Sequence, residues 1–127
     1  TKEHITRATL ESLAYQTKDI IDVMSQESSI KIKSLKVDGG ASMNNFLMQF
    51  QSDLINTDIV RQNISEITAL GAAFISGLSS GFFKDIDELK NIAKSYVTYN
   101  PKITNEKREE LYNGWTSAIH AAIQFKR

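Results

Sequence analysis

The sequence predicts an α/β domain in which a short parallel sheet is flanked by helices, and three observations lead to it. Ile30, Ile32, Leu35 and Val37 are spaced as in a strand. Met43, Phe46, Leu47, Phe50 and Leu54 follow at i, i+3, i+4, i+7 and i+11, which places them on one face of a helix. After Asn56-Thr57-Asp58, the run Ile59-Val60-Arg61 makes a second short strand. Strand, helix and strand within about 30 residues form a βαβ unit, whose two strands are parallel and whose crossover is right-handed. The 127 residues are read as one domain, 1–127, large enough for a single core.

The remaining elements follow in order. A first helix is predicted over residues 4–26, with Leu10, Leu13, Ala14, Thr17, Ile20, Ile21 and Met24 on one stripe and Thr1 in position to cap it. A domain that starts on such a helix is expected to be a piece of something longer. Ser25–Ser29 is a polar break before the strand at 30–37. The helix after the glycines is expected from Ser42, its N-cap, to about Ile55. Another helix, from Ser65 or Glu66 to about Ser80, is rich in small residues: Ala69, Gly71, Ala72, Ala73, Ser76 and Gly77. A helical glycine costs about 1 kcal/mol against alanine, so close approach of another backbone is expected there. Asp85 and Glu88 have the spacing of a capping box for a short helix whose apolar side is Ile86, Leu89 and Ala93. Ser95–Tyr99 reads as extended. Beyond Pro101, a last helix capped by Thr104 carries Leu111, Trp115, Ala118, Ile119 and Ala122 on one face as a lid, with Trp115 a core anchor.

Composition excludes several classes of function. Fifteen basic and fifteen acidic residues cancel, which argues against nucleic acid and acidic membranes as partners. Lys31, Lys33 and Lys36 read as the solvated side of a strand. There is no cysteine, hence no disulfide framework, thiolate chemistry or cysteine-based zinc site, and His4 and His120 belong to no metal-binding pattern. No apolar run approaches the roughly 20 residues of a membrane span. Together with the lack of a signal peptide, this gives a cytoplasmic expectation.

Lys36-Val37-Asp38-Gly39-Gly40-Ala41-Ser42-Met43-Asn44 is where strand periodicity changes to helix periodicity. Asp-Gly also favours a hairpin, but the residues after Gly40 do not alternate. In open α/β sheets ligands bind beyond the carboxyl ends of strands, where glycines let a ligand approach the backbone and helix N-termini favour anions. The spacing is neither GxGxxG nor GxxxxGK[ST]. From these residues alone, a ligand site and a purely structural glycine turn both remain open.

The motifs themselves resemble the C-terminal portion of the FGGY carbohydrate kinases, in the actin-like ATPase superfamily, and within that family the glycerol kinase branch. His4-Ile5-Thr6-Arg7-Ala8-Thr9-Leu10-Glu11 resembles the second half of a family signature, and the run from Leu35 to Asp53 resembles an adenosine-binding motif. Thr68-Ala69-Leu70-Gly71-Ala72-Ala73, with Gly77-Leu78 and Gly81-Phe82, is similar to the helix that connects the family's two lobes, and Tyr112, Gly114, Trp115 and Ala118 fit the closing helix. Gln62 and Ile67 depart from the usual proline and threonine.

The resemblance implies a partial ribonuclease H-like (actin-like ATPase) C-terminal domain. It also implies ATP or ADP with Mg2+ as cofactor, and Gly39, Gly40 and Asn44 as nucleotide contacts. Asn44, one turn into the helix, would offer its amide to adenine. Catalytic residues, metal ligands and the glycerol-binding residues are expected outside this sequence, in a preceding lobe and glycine-rich hairpin, so the stretch alone is expected to be inactive. The strand ending at Val37 is expected to have an unpaired edge through which the chain self-associates. A non-catalytic interaction module, or a part of another FGGY sugar kinase, is the alternative.

Overall fold

Leu35 and Val37 do build a strand, but a shorter one than the apolar spacing predicts. The computed structural model describes residues 1–63, 66–92 and 95–125. Its elements are α1 (Lys2–Ser28), β1 (Ser34–Val37), a 3-10 turn (Gly40–Met43), α2 (Asn45–Ile55), β2 (Asp58–Gln62), α3 (Ile67–Ser79), α4 (Ile86–Ile92), β3 (Tyr96–Tyr99) and α5 (Asn105–Gln124). Thr1 holds the N-cap position of α1 without a side-chain cap hydrogen bond. Ser34 pairs with Asp58, the first residue of β2, because the chain leaves α2 through a left-handed Asn56 at φ 52°. Residues 30–33 therefore have no strand opposite them.

The sheet has the order β1-β2-β3. β1 and β2 are parallel, as the βαβ reading requires, with Leu35 opposite Ile59 and Val37 opposite Arg61. The segment read only as extended becomes β3, antiparallel to β2, with Tyr99 opposite Ile59 and Val97 opposite Arg61. The sheet is thus mixed rather than wholly parallel. Its third strand arrives by the long α3–α4 excursion, and among the described residues no strand pairs with the other edge of β1.

The core lies between α1, α2 and the sheet. Ala14 and Tyr15 of α1 pack against Leu47, Met48, Phe50, Leu54 and Ile55 of α2 and Ile59 of β2, and Leu54 and Ile59 are wholly buried. Two polar residues on the buried side of α2, Ser52 and Asp53, bond to chain far away in sequence. Ser52 Oγ lies 2.9 Å from the Tyr99 carbonyl, and Asp53 Oδ1 accepts from the Lys102 N–H at 2.6 Å. Arg108 of α5 donates to the Asp53 carbonyl at 2.6 Å and to Asn56 Oδ1 at 3.0 Å, so a cation closes the C-terminal end of α2.

α5 docks as a lid with its first half only. Trp115 stacks on Tyr15 at 5.1 Å and donates to Asp19 Oδ2 at 3.3 Å, which makes it the expected anchor. Tyr112 donates to Asp19 Oδ1 at 2.5 Å, and that hydrogen bond holds the phenol in its protonated form, with its pKa pushed up to about 12. Ala118, Ile119 and Ala122, expected on the packed face, are exposed. So are Leu13, Ile20 and Met24 of α1. Length explains the helix ends: an 11-residue α2 is about 16 Å long, whereas the 20 residues of α5 run about 30 Å and the 27 of α1 about 40 Å, so Met24 and the second half of α5 overhang the core. Leu13 and Ile20, next to buried Ala14 and Ile21, instead line an open cavity with Val37 and Asp38.

α3 has no buried residue. No backbone approaches Gly71, where a methyl group would meet nothing within 4 Å; at Gly77 the ring of Phe83 occupies the space, 2.4 Å from where a Cβ would stand. In α4 Asp85 Oδ1 accepts from the Glu88 N–H at 2.9 Å, but Glu88 reaches back to the N–H of Lys84 rather than of Asp85. Ser65 and Ala93, expected at the ends of these helices, lie outside the described residues.

Candidate functional site

The turn beyond β1 is built by residues that each satisfy a backbone requirement. Gly39 has φ 80° and ψ 174°, a region open in practice only to glycine. Its carbonyl then accepts twice from Ser42, from the N–H at 3.1 Å and from the hydroxyl at 2.7 Å. Ser42 is therefore buried inside the turn and is not the cap of α2. That position belongs to Asn44, with φ −81° and ψ 107°, whose Oδ1 accepts from the Leu47 N–H at 3.1 Å. The reason is the 3-10 turn over Gly40–Met43, which spends four residues before α2 begins. Asn44 so stands just ahead of the helix instead of one turn inside it. Its carbonyl side is committed to the cap, and among the described residues its amide nitrogen has no protein partner.

Gly39 and Gly40 stand exposed on the outer side of the turn, and a Cβ on either would touch no atom within 4 Å. A cavity of about 600 Å³ opens beside Lys36, Val37, Asp38 and Gln62. A second, of about 350 Å³, lies between α1 and β1, lined by Thr17, Ile20, Val37, Asp38 and Ser42 among others. Asp38 borders both. Gly39, Gly40 and Asn44 line neither; they form a ridge of open backbone next to them. The three residues singled out in the sequence are thus brought together at the free carboxyl end of β1, beside the N-terminus of α2.

Sequence reasoning missed what lies behind the turn. Arg61 of β2 is buried, and its Nη1 donates to the Ser42 carbonyl at 3.0 Å and to Asn45 Oδ1 at 3.2 Å. The hydroxyl of Tyr99 in β3 donates to the same Asn45 Oδ1 at 2.7 Å, and the Arg61 guanidinium lies 5.7 Å from the Tyr99 ring centre. The alternation of β2 carried the signal: Ile59 is a core residue, and Arg61, two positions on, faces the same way.

Among the described residues no three His, Cys, Asp or Glu side chains are grouped to hold a metal ion. Among the described residues no helix is long and apolar enough to cross a membrane.

Comparison with known proteins fits this architecture. The chain is 55% identical over 126 residues to the glycerol kinase of Bacillus subtilis, covering 99% of this chain and 25% of that protein. It spans about a quarter of the length of the relatives it matches. It superposes on the crystal structure of Plasmodium falciparum glycerol kinase with ADP with a TM-score of 0.80 at 33% identity, covering 93% of this chain and 24% of that one. A ligand-bound xylulose kinase from Lactobacillus acidophilus, 21% identical with a TM-score of 0.66, shares the fold over 98% of this chain and 26% of its own. The family model for the C-terminal domain of FGGY carbohydrate kinases matches residues 1–80, which carry α1, the βαβ unit, the glycine turn and α3. The chain belongs to the FGGY family of carbohydrate kinases.

Proposed function

We propose that this chain supplies the adenosine-facing wall of the nucleotide site in an ATP-dependent glycerol kinase. That enzyme transfers the γ-phosphoryl of ATP to glycerol, giving glycerol 3-phosphate and ADP. The observation that carries this reading is the ridge formed by Gly39, Gly40 and Asn44. Two adjacent glycines leave backbone uncovered, and Asn44 keeps an amide donor free because its oxygen is occupied by the cap. In this role Gly39 sets the turn, Gly40 presents backbone to the nucleoside, and Asn44 donates to an acceptor on the adenine edge. The ADP-bound glycerol kinase on which the chain superposes supports the choice of ligand.

Phosphoryl transfer depends mainly on positioning and charge stabilisation. On this reading the groups that do so, and those that bind glycerol, lie outside residues 1–127, so the chain alone is inactive and binds nucleotide weakly. Mg2+ would arrive on the nucleotide phosphates. The enzyme would work in the cytoplasm.

Two uncovered surfaces fit a chain that joins further structure: the free edge of β1 and the apolar α3, where Ile75 is 70% exposed. By itself the chain would pair edge to edge with a second copy, seen as concentration-dependent dimers in sedimentation; a monomer at high concentration would contradict that. These surfaces would also suit a non-catalytic interaction module. An NMR titration of the chain with ADP separates the readings. Millimolar binding with shifts confined to Gly39, Gly40, Asn44 and their neighbours is expected for the kinase reading, and no shift there refutes it.

A further inference from the structure

We propose that Arg61, with Tyr99, is a positioning residue for nucleotide binding, acting through Asn45 and the Ser42 carbonyl; the proposal rests on the kinase reading above. One guanidinium nitrogen, Nη1, donates to both the Ser42 carbonyl and Asn45 Oδ1. Ser42 closes the glycine turn on Gly39, and Asn45 is the first residue of α2, directly after Asn44. Arg61 therefore holds the residues on either side of Asn44, directly at Asn45 and at Ser42, and reaches the Gly39 turn through Ser42. Tyr99 completes a ring by donating to the same Asn45 oxygen while its aromatic face lies near the guanidinium. Three elements, β2, β3 and the start of α2, meet in this brace.

The chemistry of Arg61 is costly for a residue that only fills space. It is 8% exposed, its Nε is buried without a hydrogen-bond partner, and among the described residues no carboxylate pairs with it. A buried cation in that state is disfavoured relative to an apolar side chain of similar volume. What the guanidinium supplies that methionine cannot is the pair of bonds holding Ser42 and Asn45 in register. With them, Gly40 and Asn44 are fixed before the ligand arrives; without them, the ligand has to order the turn as it binds, and affinity falls.

The test uses the complete polypeptide, assayed with glycerol and ATP and titrated with ADP, for wild type, Arg61→Met, Arg61→Lys and Tyr99→Phe. For Arg61→Met, the KM for ATP and the Kd for ADP rise about tenfold, while kcat and the KM for glycerol change less than about twofold. Arg61→Lys, which keeps one donor, recovers part of the loss, and Tyr99→Phe shows the same split at about threefold. Unchanged nucleotide parameters in folded variants overturn the proposal. So do losses in nucleotide, glycerol and melting behaviour that move together, since they mark a merely structural residue. Should Arg61→Met not fold, Tyr99→Phe decides, because it leaves Asn45 Oδ1 bonded to Arg61; no split there overturns the proposal. A wild-type polypeptide that binds no ADP refutes the kinase reading and the brace with it, an outcome distinct from wild-type binding that the variants leave untouched.

Discussion

Asn44 does two things with two ends of one amide, and substitutions can separate them. Its Oδ1 caps α2 through the Leu47 N–H at 3.1 Å, and its amide nitrogen is proposed to meet the nucleotide. Asn44→Ala removes both. Loss of an N-cap costs about 1 kcal/mol of stability, and loss of one hydrogen bond to a ligand costs about 1 kcal/mol more in affinity, or roughly fivefold in Kd. Asn44→Asp keeps the accepting oxygen and adds a negative charge at a helix N-terminus, worth about 0.3–1 kcal/mol in favour of folding. It also replaces the donor by a second acceptor facing a ligand that is itself anionic. The expectation is that Asn44→Asp melts at or above the wild-type midpoint yet binds ADP at least about tenfold more weakly, whereas Asn44→Ala loses on both counts. Urea denaturation and calorimetric ADP titration measure the two quantities. An Asn44→Asp variant with wild-type ADP affinity would show that the amide nitrogen donates to nothing in the complex. An Asn44→Ala variant with wild-type stability would show that the cap contributes nothing.

The two glycines separate in a similar way. Gly39→Ala forces a Cβ into the φ 80°, ψ 174° region and lowers stability by about 1–3 kcal/mol in urea melts. Gly40→Ala meets no atom and leaves the melt within about 0.5 kcal/mol of wild type while weakening ADP binding, because the methyl group stands where the nucleoside approaches. Leu54→Ala, at a wholly buried position between α1 and the sheet, costs about 2–5 kcal/mol; a loss below about 1 kcal/mol would contradict its place in the core. Tyr112 makes stability fall at high pH. Its folded pKa lies above the unfolded value, so the native state holds the proton longer, and the stabilisation is fully present below about pH 10 and lost as pH rises towards 12. Comparison of melts of wild type and Tyr112→Phe at pH 8 and pH 11 should show a smaller difference at the higher pH; an equal difference would mean the Asp19 hydrogen bond does not hold that proton.

The βαβ unit was legible because its signals are local: a change of period at Gly39-Gly40, an apolar helix face and a β-branched pair at Ile59-Val60. Of that face Leu47, Phe50 and Leu54 are buried, whereas Met43, which falls in the 3-10 turn, and Phe46 are exposed. Trp115 and the Thr104 cap, whose oxygen accepts from the Lys107 N–H, were legible for the same reason. What escaped depends on partners distant in sequence. Whether Ile30 and Ile32 belong to a strand is decided by where β2 begins, and whether Ser95–Tyr99 joins the sheet is decided by a register with residues more than thirty positions earlier. Ser42 lost its predicted cap role to Asn44 because a 3-10 turn intervened, and nothing in the composition of Gly-Ala-Ser-Met distinguishes it from a first α-helical turn. The site followed this pattern. Its glycines and Asn44 share one short run, whereas Arg61 and Tyr99 reach it only through tertiary contact.

The hydrogen bond from Arg108 to the Asp53 carbonyl spans 55 residues of sequence, and that interval is also an interval of time. On a ribosome adding roughly 5–20 residues per second, α2 is complete about 3–11 seconds before the side chain that closes its C-terminal end is synthesised. During that wait, α1, β1 and α2 already exist while the surfaces that Trp115 and Tyr112 will cover remain wet. Until the last helix is made, the faces of α1 and α2 that it covers stay open to other chains; the free edge of β1 and the apolar α3 stay open after it.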